Sequence, residues 1–172
     1  RAENAMIEVL DAFKDDGIDF DVHFIADEQP DGTFKALHGQ PEVDENIRQL
    51  CAIDLYPKNY KWFEYIKCRN KDIRSNEWKA CATEAKMDVA AMEKCATGEK
   101  GKKLHSEDIK LAKALGIGAS PTWLANNKFQ FSGVAPEAIK KNFCAYNQAL
   151  KGCAKTLSGD AAQGPAGGCG AN

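Results

Sequence analysis

Gly118-Ala119-Ser120-Pro121-Thr122-Trp123-Leu124 is the stretch that decides the fold. A proline cannot donate to a β-ladder, so ahead of a strand it must take the first strand position. The residues after it read as a hairpin: Thr122–Ala125 and Lys128–Ser132 flank Asn126-Asn127, residues suited to a tight two-residue turn. Pro136 then sits well in a first helical turn, and Ala138, Ile139, Asn142, Phe143 and Tyr146 carry a helix to about Asn147. Before the proline, Leu115–Gly118 ends a long helical region.

Working back along the chain, Val43 to about Leu115 reads as helix in short pieces. It is punctuated by Pro57, Asn70–Asn76, Met87-Asp88 and Gly98–Gly101. Tyr56, Tyr60, Trp62, Phe63 and Tyr65 are spaced as helix core rather than as a ligand box. Residues 27–42 carry Gly, Pro and Asp and read as loop. Ile18–Ala26 alternates, with Ile18, Phe20, Val22, Phe24 and Ala26 on one side and Asp19, Asp21 and His23 on the other. That is the pattern of a half-buried strand, with His23 exposed. Ala2–Phe13 has helical spacing and is stopped by Asp15-Asp16-Gly17.

Helix, strand, helical block, proline-entered hairpin, helix is the order of an α/β, thioredoxin-like fold with a helical insertion, minus its first strand. That strand lies centrally in such a sheet, and without it two rows of buried backbone groups would go unpaired, at about 1–3 kcal/mol per group. The expectation is therefore that the first strand lies upstream of Arg1 or is supplied by another segment. The thioredoxin-like domain is expected over residues 1–157, with the helical insertion at about 43–115. Residues 158–172, rich in Gly and Ala, are expected as a flexible tail.

Composition narrows the chemistry. The chain has 172 residues, 44% hydrophobic and 28% charged, with a net charge of −2. This gives no electrostatic case for nucleic acid or an anionic membrane, and Lys100–Lys103 is a solvated run too short to change that. No apolar run approaches the ~18 residues of a membrane span. No charged-then-apolar leader is visible, so a secretory signal is absent or already removed. The seven cysteines, Cys51, Cys68, Cys81, Cys95, Cys144, Cys153 and Cys169, are many for a cytosolic protein, and no two have Cys-x-x-Cys spacing. His23, His38 and His105 stand apart from them. Metal and other cofactors are not expected; structural disulfides in an extracytoplasmic setting, periplasmic, secreted or lysosome-like, are.

The stretch from His38 to Cys51 resembles the signature of the gamma-interferon-inducible lysosomal thiol reductase family, Cys-Gln-His-Gly-x-x-Glu-Cys-x-x-Asn-x-x-x-x-Cys. His38, Gly39, Glu42, Asn46 and Cys51 match; the first two signature cysteines fall on Ala36 and Val43, and the Gln on Leu37. Cys68, Cys81, Cys95, Gly98, Gly101, Leu104, Cys144 and Cys153 follow the family's order. The resemblance covers about residues 36–153 and is equally similar to a DsbA-type relative with a helical insertion.

In thioredoxin-fold oxidoreductases the peptide bond equivalent to Ser120–Pro121 is cis and frees neighbouring backbone groups for an extended substrate. The resemblance thus implies Ser120, Pro121 and Thr122 as substrate-binding residues. Paired loss of two cysteines at 36 and 43 leaves six for three bridges and Cys169 over. Fifteen pairings are open, and sequence alone does not choose. Within the resemblance the expectation is Cys51–Cys95, Cys68–Cys81 and Cys144–Cys153. Cys169 stands as a free thiol, an intermolecular tether or a partner for an upstream cysteine. His38 is expected to pack its loop, and Glu42 and Asn46 to cap or position the next helix.

Thiol–disulfide exchange needs a low-pKa thiolate at a helix N-terminus. No Cys-x-x-Cys is present, so the sequence offers no catalytic residue of its own. Two functions stay open. One is a thiol–disulfide oxidoreductase acting on protein disulfides, its catalytic cysteines upstream of Arg1. The other is a redox-inactive thioredoxin-fold binding or structural subunit of a larger extracytoplasmic assembly, held to a protein partner through Cys169.

Overall fold

The computed structural model describes residues 2–159. The chain divides into two compact units, Arg1–Phe20 with Ala119–Asn172, and Asp21–Gly118. The first contains α1 (Ala2–Ala12), a hairpin of β3 (Trp123–Ala125) and β4 (Phe129–Phe131), α7 (Pro136–Cys144), and a 3-10 turn over Lys151–Ala154. The second contains a short ladder of β1 (Asp27–Glu28) and β2 (Phe34–Lys35), then α2 (Gln40–Leu55), α3 (Lys61–Arg69), α4 (Trp78–Glu84), α5 (Val89–Thr97) and α6 (Glu99–Ala114). The described residues are mostly helical, with two small antiparallel sheets among them.

In the helical unit α2 packs on α3, α5 and α6, α3 on α4, and α5 on α6. Its core is Val43, Ile47 and Cys51 of α2, Trp62, Phe63, Tyr65 and Ile66 of α3, Met92 and Cys95 of α5, and Ile109 of α6. Trp62, Phe63 and Tyr65 of the aromatic run thus pack as core, while Tyr56 and Tyr60 are half-buried. Asp88 caps α5 by accepting the Ala91 N–H at 3.0 Å, so the Met87-Asp88 break is a helix start. α2 begins at Gln40, three residues earlier than the spacing suggested, because Pro41 suits its first turn and Gly39 precedes it at φ 81°.

In the other unit α1 packs against α7, with Phe13 meeting Phe143 edge to face at 5.3 Å. Trp123 pairs with Phe131 and Ala125 with Phe129. Asn126 and Asn127 both adopt φ 54°, and the Lys128 N–H closes the turn on the Ala125 carbonyl at 3.1 Å.

Two expectations are corrected. Ile18–Ala26 keeps its alternation of burial, with Asp19, Asp21 and His23 exposed, but forms no strand. A strand needs a ladder, and among the described residues no other segment pairs with it. The 27–42 loop in turn contains β1 and β2, closed by the Gln29 N–H on the Thr33 carbonyl at 2.8 Å.

Candidate functional site

Ser120, Pro121 and Thr122 lie together ahead of β3. The Ser120–Pro121 peptide bond is cis. Thr122 Oγ1 donates to the Ala119 carbonyl at 2.6 Å, tying the segment into one turn. Ser120 is exposed, and Pro121 and Thr122 are half-buried. Among the described residues β3 pairs with β4 alone, so one of its edges carries no strand. The backbone N–H groups of Ser120 and Thr122 likewise have no backbone partner there. Such an edge can take an extended peptide by backbone hydrogen bonding. The indole N–H of Trp123 donates to the Gly133 carbonyl at 2.9 Å and fixes the ring beside Phe131.

The signature residues belong to the helical unit. Glu42, in the first turn of α2, accepts the His38 backbone N–H at 2.7 Å and lies 3.1 Å from His38 Nδ1. It therefore closes the loop onto the helix start, as a capping side chain does. His38 itself is exposed, with Glu42 beside its ring. Asn46 does not cap; it is buried within α2, and its Nδ2 has no partner among the described residues. Ala36 and Val43 are both buried, so small or apolar side chains fill the places of the two signature cysteines. Gly101 has a steric role: a Cβ there would stand 2.6 Å from the Cys95 carbonyl oxygen and 2.7 Å from Ile47 Cγ2.

Three disulfides are present among the described residues. Cys51–Cys95 joins α2 to α5, Cys68–Cys81 joins α3 to α4, and Cys144–Cys153 joins the end of α7 to the 3-10 turn. All six described cysteines are thus oxidised, while Cys169 lies outside the described residues. No group of three or more His, Cys, Asp or Glu among the described residues is placed to hold a metal ion. No described helix is long and apolar enough to cross a membrane.

Two polar clusters in the helical unit were not foreseen. Asp108, buried on α6, accepts the Phe24 N–H at 2.6 Å and lies 2.5 Å from His23 Nδ1. That hydrogen bond holds the His23 pKa above its ordinary value. His105, one turn earlier on α6, is fully buried against the Phe34 ring, with neither ring nitrogen partnered among the described residues. Burial pushes its pKa down. The second cluster centres on Glu45 of α2, 3.1 Å from Arg69 Nε and 3.2 Å from Arg48 Nη1. Tyr65 donates its hydroxyl to Glu45 at 3.5 Å, and burial pushes the phenol's pKa up. The only sequence cue was charge at helical core spacing, ordinarily read as a solvated face.

A mostly helical body closed by disulfides, with a proline-entered hairpin, defines a disulfide-stabilised protein of the kind found in oxidising compartments. Residues 3–85, just under half of the chain, match the family model of the gamma interferon inducible lysosomal thiol reductase (GILT). Over that segment the chain is GILT-like, which bears out the resemblance read from His38, Gly39, Glu42, Asn46 and Cys51. The match ends before Cys95, Gly98, Gly101, Cys144 and Cys153. No curated protein and no solved structure matches the chain.

Proposed function

We propose that this chain belongs to a thiol–disulfide oxidoreductase that acts on protein disulfides in an extracytoplasmic compartment. The reading gives residues 1–157 a thioredoxin-like arrangement with a helical insertion at about 43–115. The observation that carries it is the thiol reductase family match over residues 3–85. Ser120, Pro121 and Thr122 serve as the docking edge for an extended substrate, which the unpaired side of β3 and the Ser120 and Thr122 N–H groups, without a backbone partner among the described residues, support. Since all six described cysteines are bonded, the nucleophile is a cysteine outside residues 2–159, and the reading places it ahead of α1. There the backbone N–H groups of a helix start favour a thiolate. The strand-like alternation of Ile18–Ala26 supports a further strand from the same segment.

The test uses protein from its native source. Thiols are alkylated before and after reduction, the intact mass is read, and turnover is measured on a model protein disulfide. The reading expects a mass above 18.8 kDa, a labelled cysteine outside the six bonded positions, and loss of turnover on its alkylation. Absence of turnover in the untreated native protein would overturn it.

A second reading is a redox-inactive binding or structural subunit, held to a partner through Cys169. It is favoured by the replacement of two signature cysteines with Ala36 and Val43 and by the lack of a free thiol among the described residues. It expects a native complex that reductant partly dissociates; a monomer indifferent to reductant would count against it.

A further inference from the structure

The three disulfides differ in how far a reagent can reach them. Cys51 and Cys95 are 0% and 4% exposed, and Cys68 and Cys81 are 8% and 7%. Cys144 and Cys153 are only half-buried. Exchange requires a thiolate to approach a sulfur directly, so access decides which bridge reacts.

The chain beyond Cys144–Cys153 is bound along α1 in a regular way. Asp16 accepts the Lys151 and Gly152 N–H groups, each at 2.8 Å. One turn back, the Ala12 carbonyl accepts Lys155 Nζ at 2.8 Å. One turn further, Glu8 accepts the Ser158 N–H at 2.7 Å and its hydroxyl at 2.5 Å. Residues 151–158 thus form a strap running antiparallel to α1 and the turn that follows it, over positions 16, 12 and 8. From the other side Glu137 of α7 accepts the Leu157 N–H at 2.8 Å, and the Lys155 carbonyl accepts Lys140 Nζ. The disulfide fixes the start of this strap to the end of α7.

We propose that Cys144–Cys153 is a reducible site, taken by a dithiol reductant, whose state controls how firmly the strap holds α1. One thiolate of the dithiol attacks one sulfur, forming a mixed disulfide and releasing the other cysteine as thiolate. The second thiol then closes the dithiol's own disulfide and expels the remaining cysteine. Two electrons pass to the protein bridge, and the dithiol's two protons end on Cys144 and Cys153. Reduction removes the covalent anchor and leaves the strap to its hydrogen bonds. This inference is independent of the proposed function, because it concerns a bridge outside the matched segment and is read locally.

The experiment treats the native, full-length protein with graded dithiothreitol under folding conditions. Thiols are alkylated at each step, labels are mapped, and amide hydrogen exchange is followed in parallel. Cys144 and Cys153 should be labelled at least tenfold faster than the other four bonded cysteines, with faster exchange at Lys151, Gly152, Leu157 and Ser158 and none at α5. The Cys144→Ser/Cys153→Ser double variant should show that fast exchange without reductant. Simultaneous labelling of all three bridges would overturn the proposal. So would strap amides that stay protected after reduction or in the double variant.

Discussion

Asp108 shows how one buried carboxylate organises its surroundings. It fixes the backbone at Phe24 and holds His23, while His105 on the same helix packs against Phe34, where burial pushes its pKa down. Asp21 adds to the raised pKa of His23, and Glu28 lies close enough to His105 to oppose its desolvation in part. The two histidines then give opposite pH dependences. The folded pKa of His105 lies below the ordinary 6.5, so its contribution is full above that value and is lost as pH falls through the folded pKa. That of His23 is raised, so its contribution is full below 6.5 and is lost as pH rises through the folded pKa. A His105→Phe variant keeps a ring against Phe34 but cannot titrate. Urea midpoints at about pH 5 and about pH 8 should show it gaining on the parent protein at the lower pH. A difference that does not change with pH would mean that burial does not lower the His105 pKa. At Gly101 the expectation is purely steric. Gly101→Ala forces a methyl against the Cys95 carbonyl and Ile47, and should cost about 1–3 kcal/mol in denaturant unfolding.

Elements with local signals were legible in the sequence. The Asn126-Asn127 turn and Pro136 each act within a few residues, so spacing was enough to place the β3–β4 hairpin and α7, while Met87-Asp88 was legible as a break in the helical block but not as the cap of α5. Elements that depend on distant partners were not. Ile18–Ala26 has the pattern of a strand, yet a ladder is a property of two segments, and its partner is not among the described residues. β1 and β2 were missed for the opposite reason. Two-residue strands are too short for periodicity, and they are held by Asp31 accepting the Thr33 N–H and hydroxyl at 3.0 and 2.6 Å. At the candidate site the Ser120–Thr122 segment was marked by its proline, whereas the Glu45–Arg69 pair was hidden because charge normally reads as surface. The helix contacts also rank two of the bridges. Cys51–Cys95 spans 44 residues and is wholly buried, while Cys68–Cys81 spans 13. Replacing the first pair with alanines should remove about 2–4 kcal/mol and lower the thermal midpoint more than replacing the second. Equal losses would show that native-state strain outweighs loop length. Asp88→Ala should cost about 1 kcal/mol through the lost cap.

For the whole molecule, every bridge among the described residues closes within one of the two units: Cys51–Cys95 and Cys68–Cys81 inside Asp21–Gly118, Cys144–Cys153 inside the other. Among the described cysteines, crosslinking therefore follows the division of the chain. Only the peptide links at Phe20–Asp21 and Gly118–Ala119 carry covalent continuity from one unit to the other through the described residues. A protease that nicks both places would leave an excised piece that still contains its own two crosslinks. In strong denaturant, with no reducing agent added, that piece should separate from the remainder on a sizing column. Retention as a single peak would reveal that one of its four cysteines is bonded to a cysteine outside the piece.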